Sequence, residues 1–473
     1  MAYGSVLQKR RRALHARIVD AIERLYADRL TEYVDLLARH SFRGELWEKA
    51  ARYFRQSGGK TAGRSAHREA VASFEHALAA LANLPESREG AELAIDLRLD
   101  LRNSLYPLGE HEAYFEHLRQ AEALATELND PRRLGWVLAY LTTYLWHRGD
   151  HQRALEVGHR AVTIVPSAAD LNLHVQATLR LGWVYHVLGD HPRAIELLRE
   201  SLAPLTGDLV REFLGMPAIA SVMVRTYIAL SLAELGDFRG GLACGEEGLG
   251  IAESAEHPQS LVAAGTGLGG VCLRQGDLAR AIHLLERAYA LAEKATIKVW
   301  IPRASGYLGY AYALSGRFAE ATPLLERAEL ERASGGGERQ VLWLSWLGET
   351  CLLGGDTEKA AEYARRSLDL SRERRERGHE AGILRLHGEV ASHSHPPDIE
   401  SAQGHYLQAI ALADELGMRP LLAHCHLGLG ELYRKTKRPD QARANLTTAM
   451  DLYRSMDMSL WLPQAEGALA DIP

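Results

Sequence analysis

Leucine or isoleucine stands eight residues before a glycine at seven places, Leu101, Leu141, Leu181, Ile228, Leu268, Leu308 and Leu347. The glycines are Gly109, Gly149, Gly189, Gly236, Gly276, Gly316 and Gly355, spaced by 40, 40, 47, 40, 40 and 39 residues. Small residues keep the same register: Ala154, Ala194, Ala281, Ala321 and Ala360 follow five residues after the glycine, with Ala161, Ala288 and Ala328 seven further on. The stretch from Leu181 to Ala194 explains the pattern. Leu181 and Tyr185 share one helical face, and Gly182 lets a neighbouring helix approach closely. Gly189 supplies the positive φ that ends this helix, Asp190 caps the free N–H groups of the next, and Ala194 fits where the two cross. The repeating unit is therefore a helix, a tight turn and a second helix.

The flanks follow the same logic. Residues 1–30 predict an N-terminal amphipathic helix, with Leu14, Ile18, Ile22 and Leu25 as its apolar stripe. Thr31 to Gly59 predict a helical pair turning at Gly44, with Trp47, Ala50, Ala51 and Phe54 on one face, and Pro85 ends a helix running from Ser65 to Leu84. Repeats then fill 31–205 and 218–455, joined by a longer connection over 206–217, where the 47-residue interval carries its surplus. Near the end Lys437 stands where a turn glycine is expected, and 456–473 predict a capping helix. The whole reads as an all-α, right-handed superhelical solenoid of about eleven antiparallel helix pairs with a period near 40.

Composition narrows the function classes. The 473 residues are 47% hydrophobic and 25% charged, ordinary for a folded chain, and the net charge of −6 provides no global field to recruit nucleic acid or anionic lipid. Cys244, Cys272, Cys351 and Cys425 are far apart, without a C-x-x-C pair, so reduced core thiols are expected. No segment reads as a signal peptide or a transmembrane helix, so a cytoplasmic location, with no membrane partner, is expected.

The helix-turn-helix unit resembles the tetratricopeptide superfamily over roughly residues 31–455, although the commonest unit there is shorter, roughly 34 residues. In that superfamily the first helices of successive pairs line a concave groove, which implies a protein or peptide partner in the groove. A narrower likeness is carried by Tyr3-Gly4-Ser5-Val6-Leu7-Gln8, by Arg12-Ala13-Leu14-His15-Ala16-Arg17-Ile18-Val19, by Leu46-Trp47-Glu48-Lys49-Ala50, by Ala66-His67-Arg68-Glu69-Ala70-Val71 and by Trp461-Leu462-Pro463-Gln464-Ala465-Glu466. These resemble the C-terminal repeat region of bacterial proteins that join a class III nucleotide cyclase domain, a STAND-type ATPase and a helical tail. The resemblance implies a sensor region for an upstream ATPase and cyclase, with 1–30 as the junction to a missing domain. Nothing here resembles the cyclase's metal-binding aspartates or the ATPase's phosphate loop, so no enzymatic activity and no cofactor is expected of this chain. A stand-alone adaptor and the effector-binding tail of a STAND-type transcription regulator are the alternatives.

Other motifs give way to blander readings. Gly58-Gly59-Lys60-Thr61 matches the end of a phosphate loop, but Phe54 stands where the motif needs glycine, so a loop between helices is expected. His393, His395 and Asp398, with His424-Cys425-His426 one repeat later, contain ligand types without convergent spacing: the first group lies near a helix end in an irregular turn, histidines two apart on a helix point to different sides, and the histidines read as solvated turn residues. The run Arg372-Glu373-Arg374-Arg375-Glu376-Arg377 reads as a solvated helix face laced with ion pairs. The functional candidates are aromatic. Trp136, Tyr140, Trp146, Trp183 and Tyr227 fall at first-helix positions facing the groove, as do Tyr307, Tyr310 and Trp346, with Arg180 and Arg303 nearby. They suit recognition of a partner, or they pack on one another across a narrow groove.

Overall fold

The computed structural model describes residues 2–64, 66–164, 170–330 and 340–472, and among them 23 α-helices and no strand. The chain forms two compact units, Met1–Tyr144 with Thr163–Val165, and Leu145–Val162 with Pro166–Pro473.

The first unit holds α1 (Ala2–Leu25), α2 (Val34–Arg43), α3 (Trp47–Ala62), α4 (His67–Leu81), α5 (Arg88–Leu108), α6 (His111–Glu127) and most of α7 (Pro131–Arg148). In α1 the fully buried position is Val19, whereas Leu14 and Leu25 are more than half exposed. The apolar stripe expected along α1 is therefore rotated: Val19, which sits between the predicted positions, is the residue that is buried, and α1 packs on α2. Gly58 to Thr61 do not form a loop. They lie inside α3, and a Cβ on Gly58 would fall 2.5 Å from the ring of Phe74 in α4. The glycine serves helix packing, and its N–H groups belong to a helix rather than to a phosphate cradle.

The second unit begins with the end of α7 and α8 (His151–Thr163) and continues as antiparallel pairs: α9 (Leu171–Leu188) with α10 (His191–Leu202), α11 (Ala220–Leu235) with α12 (Phe238–Ser254), α13 (Pro258–Gln275) with α14 (Leu278–Lys294), and α15 (Ile301–Leu314) with α16 (Phe318–Leu330). Then come α17 (Gln340–Leu353) with α18 (Thr357–Arg374), α19 (Arg377–His393) with α20 (Ile399–Glu415), α21 (Arg419–Lys435) with α22 (Pro439–Ser455), and the closing α23 (Leu462–Ala470). Gly189 has φ +89°, and Asp190 accepts a hydrogen bond from the Arg193 N–H at 3.2 Å. Lys437 takes φ +58° at the equivalent turn, so this repeat keeps the turn and bears its strain. Between Thr206 and Ala220 the chain makes a short 3-10 turn, Gly207–Arg211. The first helices of the middle pairs are apolar on nearly every side, as expected of helices enclosed by their neighbours: every residue of α11 from Ala220 to Ala233 is buried.

The array in this unit closes on itself. The turn at Gly189 touches the start of α19, where a Cβ would lie 2.6 Å from the Gly378 nitrogen. The turn at Gly236 meets Met456 and Pro420, and that at Gly276 meets Leu460 and Trp461. The first of these seams is fastened by Glu376. This residue lies not on a solvated helix face but in the turn between α18, which ends as Arg375 takes φ +58°, and α19, which Glu376 opens. Its side chain is fully buried; Oε1 accepts from His151 Nε2 at 3.0 Å and Oε2 from His379 Nδ1 at 2.7 Å. Burial opposes the charge, but the two histidines outweigh it and hold the carboxyl at about 2. The sequence pattern misassigned Glu376 because alternating charge looks the same on a solvated helix and across a turn.

Candidate ligand-binding cavity

The inner helices of the second unit are lined with rings that stack from pair to pair. Trp146 lies 5.2 Å from Trp183, and Trp183 lies 5.3 Å from Tyr227. Further along, Tyr310 stacks flat on Trp346 at 4.4 Å and 4°, and Tyr307 meets Trp346 edge-on at 5.2 Å. All of these rings are less than 9% exposed. Arg180 and Arg303 are buried too: Arg180 Nη1 donates to the Gln176 carbonyl at 2.9 Å, and Arg303 Nη1 donates to the Val299 carbonyl at 2.7 Å. Trp136 and Tyr140 belong to the first unit, where their rings are 5.7 Å apart and the Arg102 guanidinium lies 4.1 Å from the Tyr140 ring.

Among the ten sequence candidates, Tyr310 and Trp346 line a cavity of about 470 Å³ in the second unit. This volume falls in the range of small-ligand sites, roughly 300–1,000 Å³. Around the two rings the cavity wall is charged. From α13, Arg274 donates through Nε and Nη2 to Glu234 Oε1 of α11, at 2.9 and 2.8 Å. From α19, Arg385 donates through Nη2 to Glu349 Oε1 of α17 at 2.8 Å, and through Nη1 to Glu389 one helical turn away. Burial raises the Glu389 carboxyl above its ordinary value, Arg385 offsets part of this, and Glu349 adds to it. The Tyr310 hydroxyl is likewise pushed well up, first by burial and then by the charge of Glu349.

Two histidines of the wall are kept neutral. His191, at the start of α10, is 3% exposed, burial lowers it to about 4, and neither ring nitrogen has a hydrogen-bond partner among the described residues. His424 is held well below its ordinary value, again by burial, with Nδ1 2.8 Å from the Tyr453 hydroxyl. His424 is thus not a solvated turn residue; it lies within α21, with Cys425 buried beside it. Among the described residues no group of three or more His, Cys, Asp or Glu side chains is placed to hold a metal ion.

The charged wall was not among the sequence candidates, yet its register carried a sign of it. Glu349 and Glu431 stand two residues after Leu347 and Leu429, the position that Trp183 and Tyr310 occupy after Leu181 and Leu308. A search of that position for charge as well as for rings would have found both.

Models of the tetratricopeptide repeat match residues 175–200 and 273–338, and the chain carries repeats of this type. No curated protein sequence matches. Among solved structures, a Rap protein complexed with Competence and Sporulation Factor aligns with a TM-score of 0.55 at 16% identity, over 77% of this chain and 98% of that one. The Cut9–Hcn1 hetero-tetramer of the APC/C aligns at 0.45 and 13%, over 93% and 91%. A signal transduction ATPase with numerous domains and a tetratricopeptide repeat sensor, from Pyrococcus horikoshii, aligns at 0.44 and 13%, over 82% and 56%. The likeness to the Rap protein is one of fold.

Proposed function

We propose that this chain is a non-catalytic regulatory scaffold that captures a protein or peptide partner in the cavity of its second unit. The observation that carries the reading is the cavity itself: about 470 Å³, walled by a stacked Tyr310–Trp346 pair and by half-buried ion pairs. Large rings with polar edges combine apolar area with orientation, the combination that anchors partners. The Rap protein of similar fold was solved with Competence and Sporulation Factor bound, which supports an effector role for such arrays. The junction-like sequence of residues 1–30 supports a regulatory link to an ATPase and cyclase, with occupancy of the cavity sensed at residues 1–60.

Gly382 provides the test. It lines the cavity on α19, and a Cβ there would meet nothing within 4 Å. Gly382→Phe should therefore fill the space while the fold persists, since glycine is a poor helix residue. Partners captured by the wild-type chain should be lost by this variant. Equal retention by both overturns the cavity as the binding site. For the link, hydrogen exchange at residues 1–60 should change when a captured partner is added; unchanged exchange refutes it.

A further inference from the structure

Of the residues that line the cavity, Leu353, His393 and Gln464 are exposed. They share one end of the space: Leu353 closes α17, His393 closes α19, and Gln464 Nε2 donates at 2.8 Å to Oε1 of Glu431, near the end of α21. At the opposite end the lumen is filled. His186 of α9, Glu234 of α11 and Tyr310 of α15 line the cavity, whereas Trp183, Tyr227 and Arg303, further back on the same helices, are buried outside it. There Trp183 packs between Trp146 and Tyr227, and the Arg303 guanidinium lies 5.9 Å from the Trp146 ring, so α15 reaches across to α7.

The flank is sealed as well. Four successive turns, at Gly149, Gly189, Gly236 and Gly276, meet Arg374, Gly378, Met456 and Leu460 of later repeats, each so closely that a Cβ on the glycine would fall under 3.0 Å from them. Among the described residues, then, the way in lies past Leu353 and His393. Beyond this mouth the surface continues as a depression of about 740 Å³, between the Gly354–Glu358 turn with Ala361 of α18 and Val390, Ser394 and His395 at the end of α19. His393 lines both spaces, and Leu353 of one adjoins Gly354 of the other. Gly355 and Ala361 carry little side chain, and a Cβ on Gly355 would meet nothing within 4 Å, which leaves room for another backbone to lie close.

We infer that the chain takes its partner end-on: the terminal residues of a linear peptide enter the cavity, and the residues after them lie in the depression between Gly354 and His395, a second subsite. The inference rests on the cavity being the partner site. A free end brings one strand through the mouth, whereas a loop on a folded surface brings two, about 5 Å apart, into the same blind space. The stacked Tyr310–Trp346 pair then meets the first side chains to enter.

Random heptapeptides displayed on phage and panned against the full chain test it in three formats: with a free amino end, with a free carboxyl end, and closed into a loop by flanking cysteines. One of the linear formats should yield binders, and which one assigns the inserted end; the loops should yield none of similar strength. Four glycines added to the inserted end of a selected heptapeptide should weaken its binding at least about tenfold in calorimetry, and four at the other end should not. Ala361→Trp, at an exposed position of α18, should weaken the heptapeptide about tenfold and leave its inserted tripeptide unaffected, which also shows that the variant folds. Gly382→Phe should abolish binding of both. The inference fails if loops bind as well as linear peptides, if neither linear format yields a binder, if added glycines are tolerated at both ends, or if the binders survive Gly382→Phe. The second subsite falls if Ala361→Trp weakens heptapeptide and tripeptide alike, or neither. In each of these cases, partner capture that still depends on Gly382 leaves the scaffold reading standing.

Discussion

Glu376 joins the start of the second unit to its later repeats, and its replacement by glutamine has a calculable cost. The carboxylate accepts two hydrogen bonds from histidines, at 3.0 and 2.7 Å, with no solvent exposure. Its carboxyl is depressed from an ordinary value of 4.5 to about 2. At about 1.4 kcal/mol per unit this gives roughly 3 kcal/mol of stability at neutral pH. The group is depressed, so its contribution is complete above about pH 4.5 and disappears as pH falls toward 2. By linkage roughly 2 kcal/mol remains at pH 3.5 and almost none at pH 2. Glu376→Gln removes the charge while keeping the shape, and should cost the second unit about 3 kcal/mol at pH 7. Urea midpoints followed by circular dichroism at pH 7 and pH 3.5 measure the gap between variant and wild type. Hydrogen exchange at pH 7 should place the loosening in residues 149–160 and 376–384. A gap below about 0.5 kcal/mol at pH 7, or one that does not narrow in acid, refutes the argument.

Gly189→Ala meets both a positive φ and the Gly378 backbone at 2.6 Å, whereas Gly316→Ala meets a φ of +79° and open space. The second should cost about 1 kcal/mol in the urea midpoint and the first clearly more; equal losses would mean that the contact between Gly189 and Gly378 contributes nothing. Lys437→Gly should raise stability by about 0.5 kcal/mol, because relief of the left-handed strain exceeds the entropy gained by the unfolded chain. Trp183→Ala should destabilise the second unit by roughly 3–5 kcal/mol in denaturant, since the ring is packed between Trp146 and Tyr227. Burial raises the thiols of Cys244 and Cys272 to about 11 and that of Cys425 to about 12, so Ellman's reagent at pH 8 should titrate these three only after denaturation.

The repeat was legible because turn geometry and close packing leave few residue choices. A positive φ calls for Gly189, and the crossing with Leu198 calls for Gly182, where a Cβ would fall 2.8 Å from that side chain. Such demands act within one helix pair, so they recur in the sequence at the repeat period. The cavity was half legible. Trp346 and Tyr310 were found because large rings at inner positions stand out against a small-residue background. Arg385 in the cavity wall and Glu376 at the seam were not, because their meaning depends on what lies across the fold: His151 is 225 residues from Glu376, a separation no local spacing encodes. Gly58 shows the converse error: paired glycines suggested a loop between helices, whereas they lie inside α3, where Gly58 makes room for the ring of Phe74.

Closure of the second unit changes the thermodynamic class of the array. In an open row of repeats each module consults only its neighbours, so unfolding can fray from either end and damage stays local. Here the module at Gly189 also consults the one at Gly378, which makes the row a loop with no free end in that region. Cooperativity should then spread around the loop, and a deletion that removes α19 onward would strip the partner surface from repeats that lie far earlier in the chain. Excising repeats to find a minimal binding fragment, a routine approach for linear arrays, is therefore poorly suited to this protein.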